Sequence, residues 1–395
     1  MNPFVDGNQI QLLRNGAEYF PALETAIENA VHEIYLQTYI YQTDKIGIRI
    51  GDALKRAAQR GVTVNLLLDG FGCKDLAAVY VDELAAAGVK VMFYRPKISP
   101  WTLKKSRLRR MHRKVTVIDG KIGFVGGINI IDDYNVPDNT PPRIDYAVRV
   151  EGKLLPTMLS SVTKLWRHLA WTHLEPEHLK TAKAKPSTIH HLQHQPSSPA
   201  EKGNMKAAFI LRDNVLNRRD IEKAYLAAIA QAHTEIIIAN AYFVPGRRFR
   251  KALLAATKRG VNVKLLLQGR IEYFLMFASH AFYAIFLKND IEIYEYRKGF
   301  MHSKVAVIDS EWATVGSSNI DPFSLLLARE ANVVVKDKTF AKALRIDIMQ
   351  SIQDGAYQVL AQEWTNRHIF KRFLSWLAYG LVRLFVGLIG YSKEQ

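Results

Sequence analysis

A single cysteine, Cys73, is all the thiol chemistry that the 395-residue chain holds. With no second thiol an intramolecular disulfide is impossible, and a cysteine-based zinc site is excluded. Acids are also scarce: 37 Asp and Glu against 54 Lys and Arg leave a net charge of +17. A surface that basic gathers anions, so nucleic acid, anionic lipid headgroups and phosphate esters are all candidate partners, and charge alone does not choose among them. The first thirty residues lack a hydrophobic run, because Asp6, Asn8, Gln9, Arg14, Asn15 and Glu18 interrupt the apolar positions. Neither a signal peptide nor a spanning helix is expected there, and the body of the protein is expected to stay where it is made. What remains, 48% apolar and 23% charged residues, is the composition of a folded chain long enough for two domains or a duplicated one.

Duplication is visible. Met-His-Arg-Lys-Val-Thr-Val-Ile-Asp occupies 111–119 and Met-His-Ser-Lys-Val-Ala-Val-Ile-Asp occupies 301–309. Each continues into a small-residue turn ending in asparagine, Gly126-Gly127-Ile128-Asn129 and Gly316-Ser317-Ser318-Asn319. Upstream, the periodicity predicts helix, strand, helix over 20–60, a turn at Gly61 and a buried strand over 62–68. The same series returns over 221–267, with Arg60-Gly61-Val62 matched by Arg259-Gly260-Val261 and Leu68-Asp69-Gly70 by Leu267-Gln268-Gly269. A period of roughly 190–200 residues is too long for a solenoid unit, so two homologous α/β domains are expected.

The surroundings of the two copies differ. A long basic insert at 97–110, with Trp101 among Lys97, Lys104, Lys105, Arg107, Arg109 and Arg110, precedes the first motif, whereas only Arg297-Lys298-Gly299-Phe300 precedes the second. Cations with interleaved apolar residues suit headgroup or phosphate recruitment. The segment 176–206 is rich in Pro, Lys, Ser and His without hydrophobic period, and is expected to be a linker; His190, His191 and His194 within it lack nearby acids to complete a metal site. Residues 369–390 are apolar but broken by Lys371, Arg372 and Arg383. A helix lying in a membrane surface keeps those cations among lipid phosphates and is favoured over an oligomer contact or a true span.

Side chains alternate along a strand, so His112 and Lys114 share a side, as do His302 and Lys304. A neutral imidazole can attack phosphorus, a protonated one can return its proton to a leaving alkoxide, and Lys and Asn can donate to the non-bridging oxygens. Two such sets suit displacement at a phosphodiester through a covalent phosphohistidine, with no metal or cofactor required. Asp119 and Asp309 complete the motif and are counted with the catalytic set, although the turns they open make them more plausible as structural hydrogen-bonders than as reacting groups. Asp145 follows His112 by a strand and a loop, and Glu330 follows His302 similarly. These acids are expected to fix the tautomers of the histidines.

These motifs resemble those of the phospholipase D superfamily, and 9–335 as a whole is similar to bacterial cardiolipin synthases of the short type. Asn240-Ala241-Tyr242-Phe243-Val244-Pro245 and Ala313-Thr314-Val315-Gly316-Ser317-Ser318-Asn319-Ile320-Asp321-Pro322 add to the likeness. The resemblance implies a duplicated phospholipase D-like fold, two α/β domains with mixed sheets related by a pseudo-twofold, the active site lying at their interface. It implies that His112 is the nucleophile and His302 the general acid and then base. Lys114, Lys304, Asn129 and Asn319 then bind phosphate, and Asp145 and Glu330 orient the histidines. One phosphatidylglycerol donates its phosphatidyl group and loses glycerol; a second attacks to give cardiolipin. The same chemistry with water as acceptor, in a phospholipase D or a nuclease, is the alternative, though the apolar tail has no evident use on nucleic acid and none is expected as partner.

The expected organisation is an N-terminal domain over 1–175, a polar linker over 176–206, a C-terminal domain over 207–362 and a membrane-associating tail over 363–395. The expected partners are anionic phospholipid and a membrane surface, met through the tail and the 97–110 insert. The expected location is the bacterial inner membrane, bound peripherally or anchored at its interface.

Overall fold

The computed structural model describes residues 3–96, 109–136, 142–172, 201–213, 217–270, 278–321, 328–365, 377 and 379–381. The first half runs β1 (Val5–Arg14), α1 (Asn15–Glu28), β2 (Glu33–Thr38), α2 (Lys45–Gln59), β3 (Thr63–Asp69), α3 (Ala78–Ala86), β4 (Lys90–Tyr94), β5 (Lys114–Ile118), β6 (Ile122–Gly126) and β7 (Tyr146–Gly152), and closes with α4 (Leu155–Thr172). The second repeats it with β8 (Met205–Arg212), α5 (Asp220–Ala230), β9 (Glu235–Asn240), α6 (Arg247–Lys258), β10 (Asn262–Gln268), α7 (Tyr283–Leu287), β11 (Ile291–Tyr296), β12 (Lys304–Ile308), β13 (Trp312–Gly316) and β14 (Glu330–Lys336). There follow α8 (Lys338–Gly355), β15 (Ala356–Gln358) and α9 (Ala361–Thr365).

Local chemistry sets these boundaries. Asp44 caps α2, its carboxylate accepting from the Ile46 and Gly47 amides at 3.1 and 3.0 Å. Gly61 leaves the helix at φ +91°, a conformation glycine takes without a Cβ clash, and the chain turns directly into β3, buried from Val64 to Asp69. Gly260 does the same after α6 at φ +84°.

Within each half, three strands pair in parallel, β2-β3-β4 and β9-β10-β11, and the motif strands β5 and β12 add antiparallel to β2 and β9. The halves do not remain separate sheets. β1 and β8, the edge strand of each, pair antiparallel, so the order β15-β11-β10-β9-β12-β13-β14-β8-β1-β7-β6-β5-β2-β3-β4 is one fifteen-stranded ladder with its pseudo-twofold between β8 and β1. Joining two edges leaves neither row of backbone donors open to a foreign strand. A shared core that includes Val115, Val125 and Val148 from one half and Val305, Val315 and Val333 from the other packs with α4 and α8.

Most of the basic insert, the linker and the apolar tail lie outside the described residues. At the root of the tail, Trp364 is buried against Tyr283 and His280, and the Tyr379 ring meets Phe282 edge-on at 4.8 Å. Among the described residues no helix is long and apolar enough to cross a membrane.

Candidate active site

β5 and β12 begin at Lys114 and Lys304, so each motif histidine stands in the extended segment just before its strand. That segment is held by the opposite half. The His112 amide donates to the Arg329 carbonyl at 3.0 Å, and Arg329 donates back to Arg110 at 2.7 Å. Symmetrically, His302 donates to Ile144 at 2.8 Å and Ile144 to Phe300 at 2.9 Å. Arg329 and Ile144 immediately precede Glu330 and Asp145, so the backbone exchange carries each acid to the other repeat's histidine. His112 Nδ1 lies 2.9 and 3.1 Å from the two Glu330 oxygens, and His302 Nδ1 lies 2.6 Å from Asp145 Oδ2. Chain order places Asp145 after His112 and Glu330 after His302; the fold crosses them over. With Nδ1 taken up on each ring, Nε2 is the nitrogen left for chemistry.

Lys114 Nζ donates to the His112 carbonyl at 2.7 Å, and Lys304 Nζ, fully buried, contacts the His302 carbonyl, His302 Nδ1 at 2.7 Å and Asp145 Oδ2 at 3.7 Å. Burial pushes the Lys114 ammonium down to about 7 and that of Lys304 down to about 8, only partly opposed by Glu330 and Asp145. Burial also lowers both histidines: His112 below its usual value in spite of Glu330, and His302, with Lys304 adding to the effect, to about 3. Burial works against the ionised Asp145 carboxyl, yet Lys304 and His302 outweigh it and hold it below the usual range. The resting site thus combines neutral imidazoles with lysines poised to be charged beside an anion.

Asn129 and Asn319 sit in the loops that leave β6 and β13, both nearly buried. The Asn129 Oδ1 accepts from the Ile40 amide at 3.0 Å, while the Asn319 Oδ1 has no partner among the described residues. Asp119 and Asp309 are not part of this constellation. They stand at the far ends of β5 and β12, in left-handed turns at φ 51° and 53°. Asp119 accepts from the Val31, His32 and Glu33 amides at 2.8–2.9 Å, and Asp309 from those of His233, Thr234 and Glu235 at 2.8–2.9 Å. Their place with the catalytic groups is therefore corrected: they tie each motif strand to the start of its neighbour, because a left-handed residue after a strand turns its carboxylate back onto the adjoining amides.

Several supporting residues escaped the motif reading. Asp69 Oδ2 and Gln268 Oε1 accept from the amides before the histidines, Met111 at 2.8 Å and Met301 at 3.2 Å. Their signal was the matched Leu-Asp-Gly and Leu-Gln-Gly ends of β3 and β10. Tyr39 meets the His112 ring edge-on at 4.8 Å, and Phe300 stacks near His302 at 6.2 Å. Ser317 Oγ donates to Glu330 at 2.5 Å. The matching position is Gly127, where a Cβ would lie 2.2 Å from Asp145, so the shorter acid leaves no room for a side chain. On the opposite face of β5, the buried Arg113 guanidinium bonds Gln37 Oε1 at 2.7 Å and Ser161 Oγ at 2.8 Å, pinning the motif to α4. Among the described residues no group of His, Cys, Asp or Glu is placed to hold a metal ion.

The family described as "Cardiolipin synthase, PLD-like domain" matches twice, over residues 23–138 and 225–351. "Cardiolipin synthase B" of Salmonella typhimurium is 40% identical over 388 residues, 98% of this chain and 90% of that protein. Its namesake from Escherichia coli K12 is 38% identical over 389 residues, with the same coverage of both. In fold, the crystal structure of phosphatidylserine synthase from Haemophilus influenzae Rd KW20 superposes with a TM-score of 0.66 at 14% identity, covering 98% of this chain and 95% of that one. The duplicated motif, the crossed acid pairs and these matches together place the chain in the family of cardiolipin synthases with a phospholipase D-like domain.

Proposed function

We propose that the protein makes cardiolipin from two molecules of phosphatidylglycerol, releasing glycerol. The observation that carries this reading is the pair of crossed His–acid contacts, which takes up Nδ1 of one histidine from each half and leaves both Nε2 atoms for chemistry, with a buried lysine two residues on from each. In the first step His112 Nε2 bonds to phosphorus as the P–O bond to glycerol breaks, and His302, which takes up a proton as the phosphodiester anion binds beside it, gives that Nε2 proton to the departing oxygen. In the second, His302 takes the proton of an incoming phosphatidylglycerol hydroxyl. The new P–O bond forms, the P–N bond breaks and His112 is restored. Lys114, Lys304 and Asn129 meet the charge that gathers on the non-bridging oxygens, and Glu330 and Asp145 fix the tautomers and steady the imidazolium. The His112-first order follows the family resemblance. The Cardiolipin synthase B names of the relatives support the product.

The substrates are lipids, so the site has to work at a bilayer. Phe71, 43% exposed, lies under the Arg110 guanidinium at 5.3 Å, at the start of the approach to His112. An apolar ring beneath a cation suits the headgroup boundary, and peripheral attachment to the inner membrane through the basic insert and the tail is part of the same proposal. Purified protein with phosphatidylglycerol vesicles should yield cardiolipin and free glycerol in equal amounts. Phosphatidic acid as the sole product would refute transfer, and full turnover by His112→Ala would refute the mechanism.

A further inference from the structure

Asp145 reaches His302 from the other half, and its main chain is gripped by one residue far from either motif, Asn15. The β1–β7 ladder ends at the pair Arg14 and Tyr146, where the chain turns from β1 straight into α1. Asn15 makes that turn in the left-handed region, at φ 58°. From there it bonds Asp145 twice: its amide donates to the Asp145 carbonyl at 2.9 Å, and its Oδ1 accepts from the Asp145 amide at 3.1 Å. The side-chain oxygen stands in for the ladder carbonyl that the turn into α1 removes, so the Asp145 backbone keeps both bonds of a strand pair.

A left-handed residue other than glycine is strained, though asparagine bears it better than most, and such strain persists where the neighbours hold it in place. Here they do. The next amide, of buried Gly16, donates to Asp133 Oδ2 at 2.6 Å, and on the other side Arg14 meets Asp347 of α8 at 2.7 Å. Tyr146 OH bonds the second oxygen of the same Asp347 at 2.5 Å. Residues 14–15 and 145–146 are thus fastened to each other and to a helix of the His302 half. Asp145 Oδ1 accepts from the Tyr146 amide at 2.9 Å, and Oδ2 lies 2.6 Å from His302 Nδ1.

The other acid is braced by different means. Ser317 holds Glu330 through its carboxylate, and at the position matching Asn15, just after β8, Asp213 accepts from Asn217 at 3.1 and 2.9 Å. We infer that Asn15 is a positioning residue for proton transfer at His302, acting through the Asp145 main chain. The inference rests on the proposed two-step transfer and adds a residue to its His302 side. A carboxylate on a fixed backbone keeps the imidazole within the narrow range of positions that proton transfer tolerates, and a displacement of about an ångström takes it out of that range. The steps in which His302 gives or takes a proton then slow more than a step that needs none.

Asn15→Gly is the test, because glycine takes the left-handed turn freely while the Oδ1 acceptor is lost. Turnover of short-chain phosphatidylglycerol, whose glycerol needs the His302 proton to leave, is compared with the nitrophenol burst from a p-nitrophenyl phosphodiester, whose leaving group needs none. The ratio of burst rate to turnover should rise by roughly 10- to 100-fold over the wild type. In an Asp145→Asn background the same substitution should slow turnover by less than about twofold, as no carboxylate remains to be placed. An unchanged ratio, which a general loosening of the fold would give, or losses that multiply in the double variant overturn the positioning role. A wild type without a burst overturns the two-step mechanism and this role with it. A wild type that makes only phosphatidic acid refutes transfer to lipid, yet the same ratio still decides on Asn15, because water as acceptor also gives its proton to His302.

Discussion

Glu330 Oε1 sits 2.9 Å from His112 Nδ1 across 218 residues of chain. The acid that follows each motif serves the histidine of the other, so neither half has a complete set of groups. Glu330→Gln should lower kcat by roughly 10³–10⁴-fold with little change in KM, because an amide no longer fixes the tautomer or steadies the imidazolium. A phosphodiester with a p-nitrophenol leaving group separates the two acids. It needs no proton to depart, so Asp145→Asn should keep the nitrophenol burst and Glu330→Gln should lose it. The opposite pattern would assign the nucleophile to His302.

Binding of the phosphodiester anion should take up protons. In the free protein burial holds His302 neutral, and Lys114 and Lys304 titrate near 7 and 8. A phosphate charge placed among them favours every protonated form. Calorimetry of a short-chain phosphatidylglycerol in buffers of different ionisation enthalpy should report net uptake at pH 8, and release would contradict it. Since the lysines must be cationic to meet the substrate, kcat/KM should fall as pH rises through 7–8. On the acid side, burial lowers His112, so its neutral, nucleophilic form persists to lower pH than that of an exposed imidazole.

Asp309→Ala should cost stability before chemistry. Its carboxylate serves three backbone amides and the Thr234 hydroxyl at 2.8–2.9 Å, far from the histidines along β12. Losing these charge-assisted bonds should lower unfolding stability by about 2 kcal/mol, read by denaturant titration. His302→Ala should do the reverse, abolishing turnover with a smaller change in the unfolding midpoint.

Removal of 382–395 spares the Trp364 and Tyr379 contacts with Tyr283 and Phe282. Sedimentation with anionic vesicles should weaken, while thermal unfolding and turnover of a soluble short-chain substrate should hold. Equal losses in all three would make that stretch part of the folded body.

Much of this was legible in the chain because it is written twice. The His-x-Lys spacing, the helix ending at Gly61 or Gly260, and the buried strands after them depend on local periodicity, and the fold keeps them. The crossing of Asp145 and Glu330 was not legible, since it is made by backbone bonds between segments far apart in sequence, His112 to Arg329 and His302 to Ile144. Nor were β1 and β8. With Asp6, Asn8 and Gln9 among its apolar residues, β1 carries a weak strand pattern and owes its place to the opposite edge it pairs with. Asp119 and Asp309 were misplaced with the catalytic set because a motif records co-occurrence, whereas a five-residue strand sets its two ends apart.

The most direct test locates the covalent intermediate. The protein is mixed with short-chain phosphatidylglycerol, quenched under alkaline denaturing conditions that preserve phosphoramidates, digested and sequenced by mass spectrometry. A phosphatidyl group on the peptide containing His112, absent from Glu330→Gln and present in Asp145→Asn with the p-nitrophenol substrate, is the expected result. An adduct on His302, or turnover to cardiolipin with no adduct on either histidine, would contradict it.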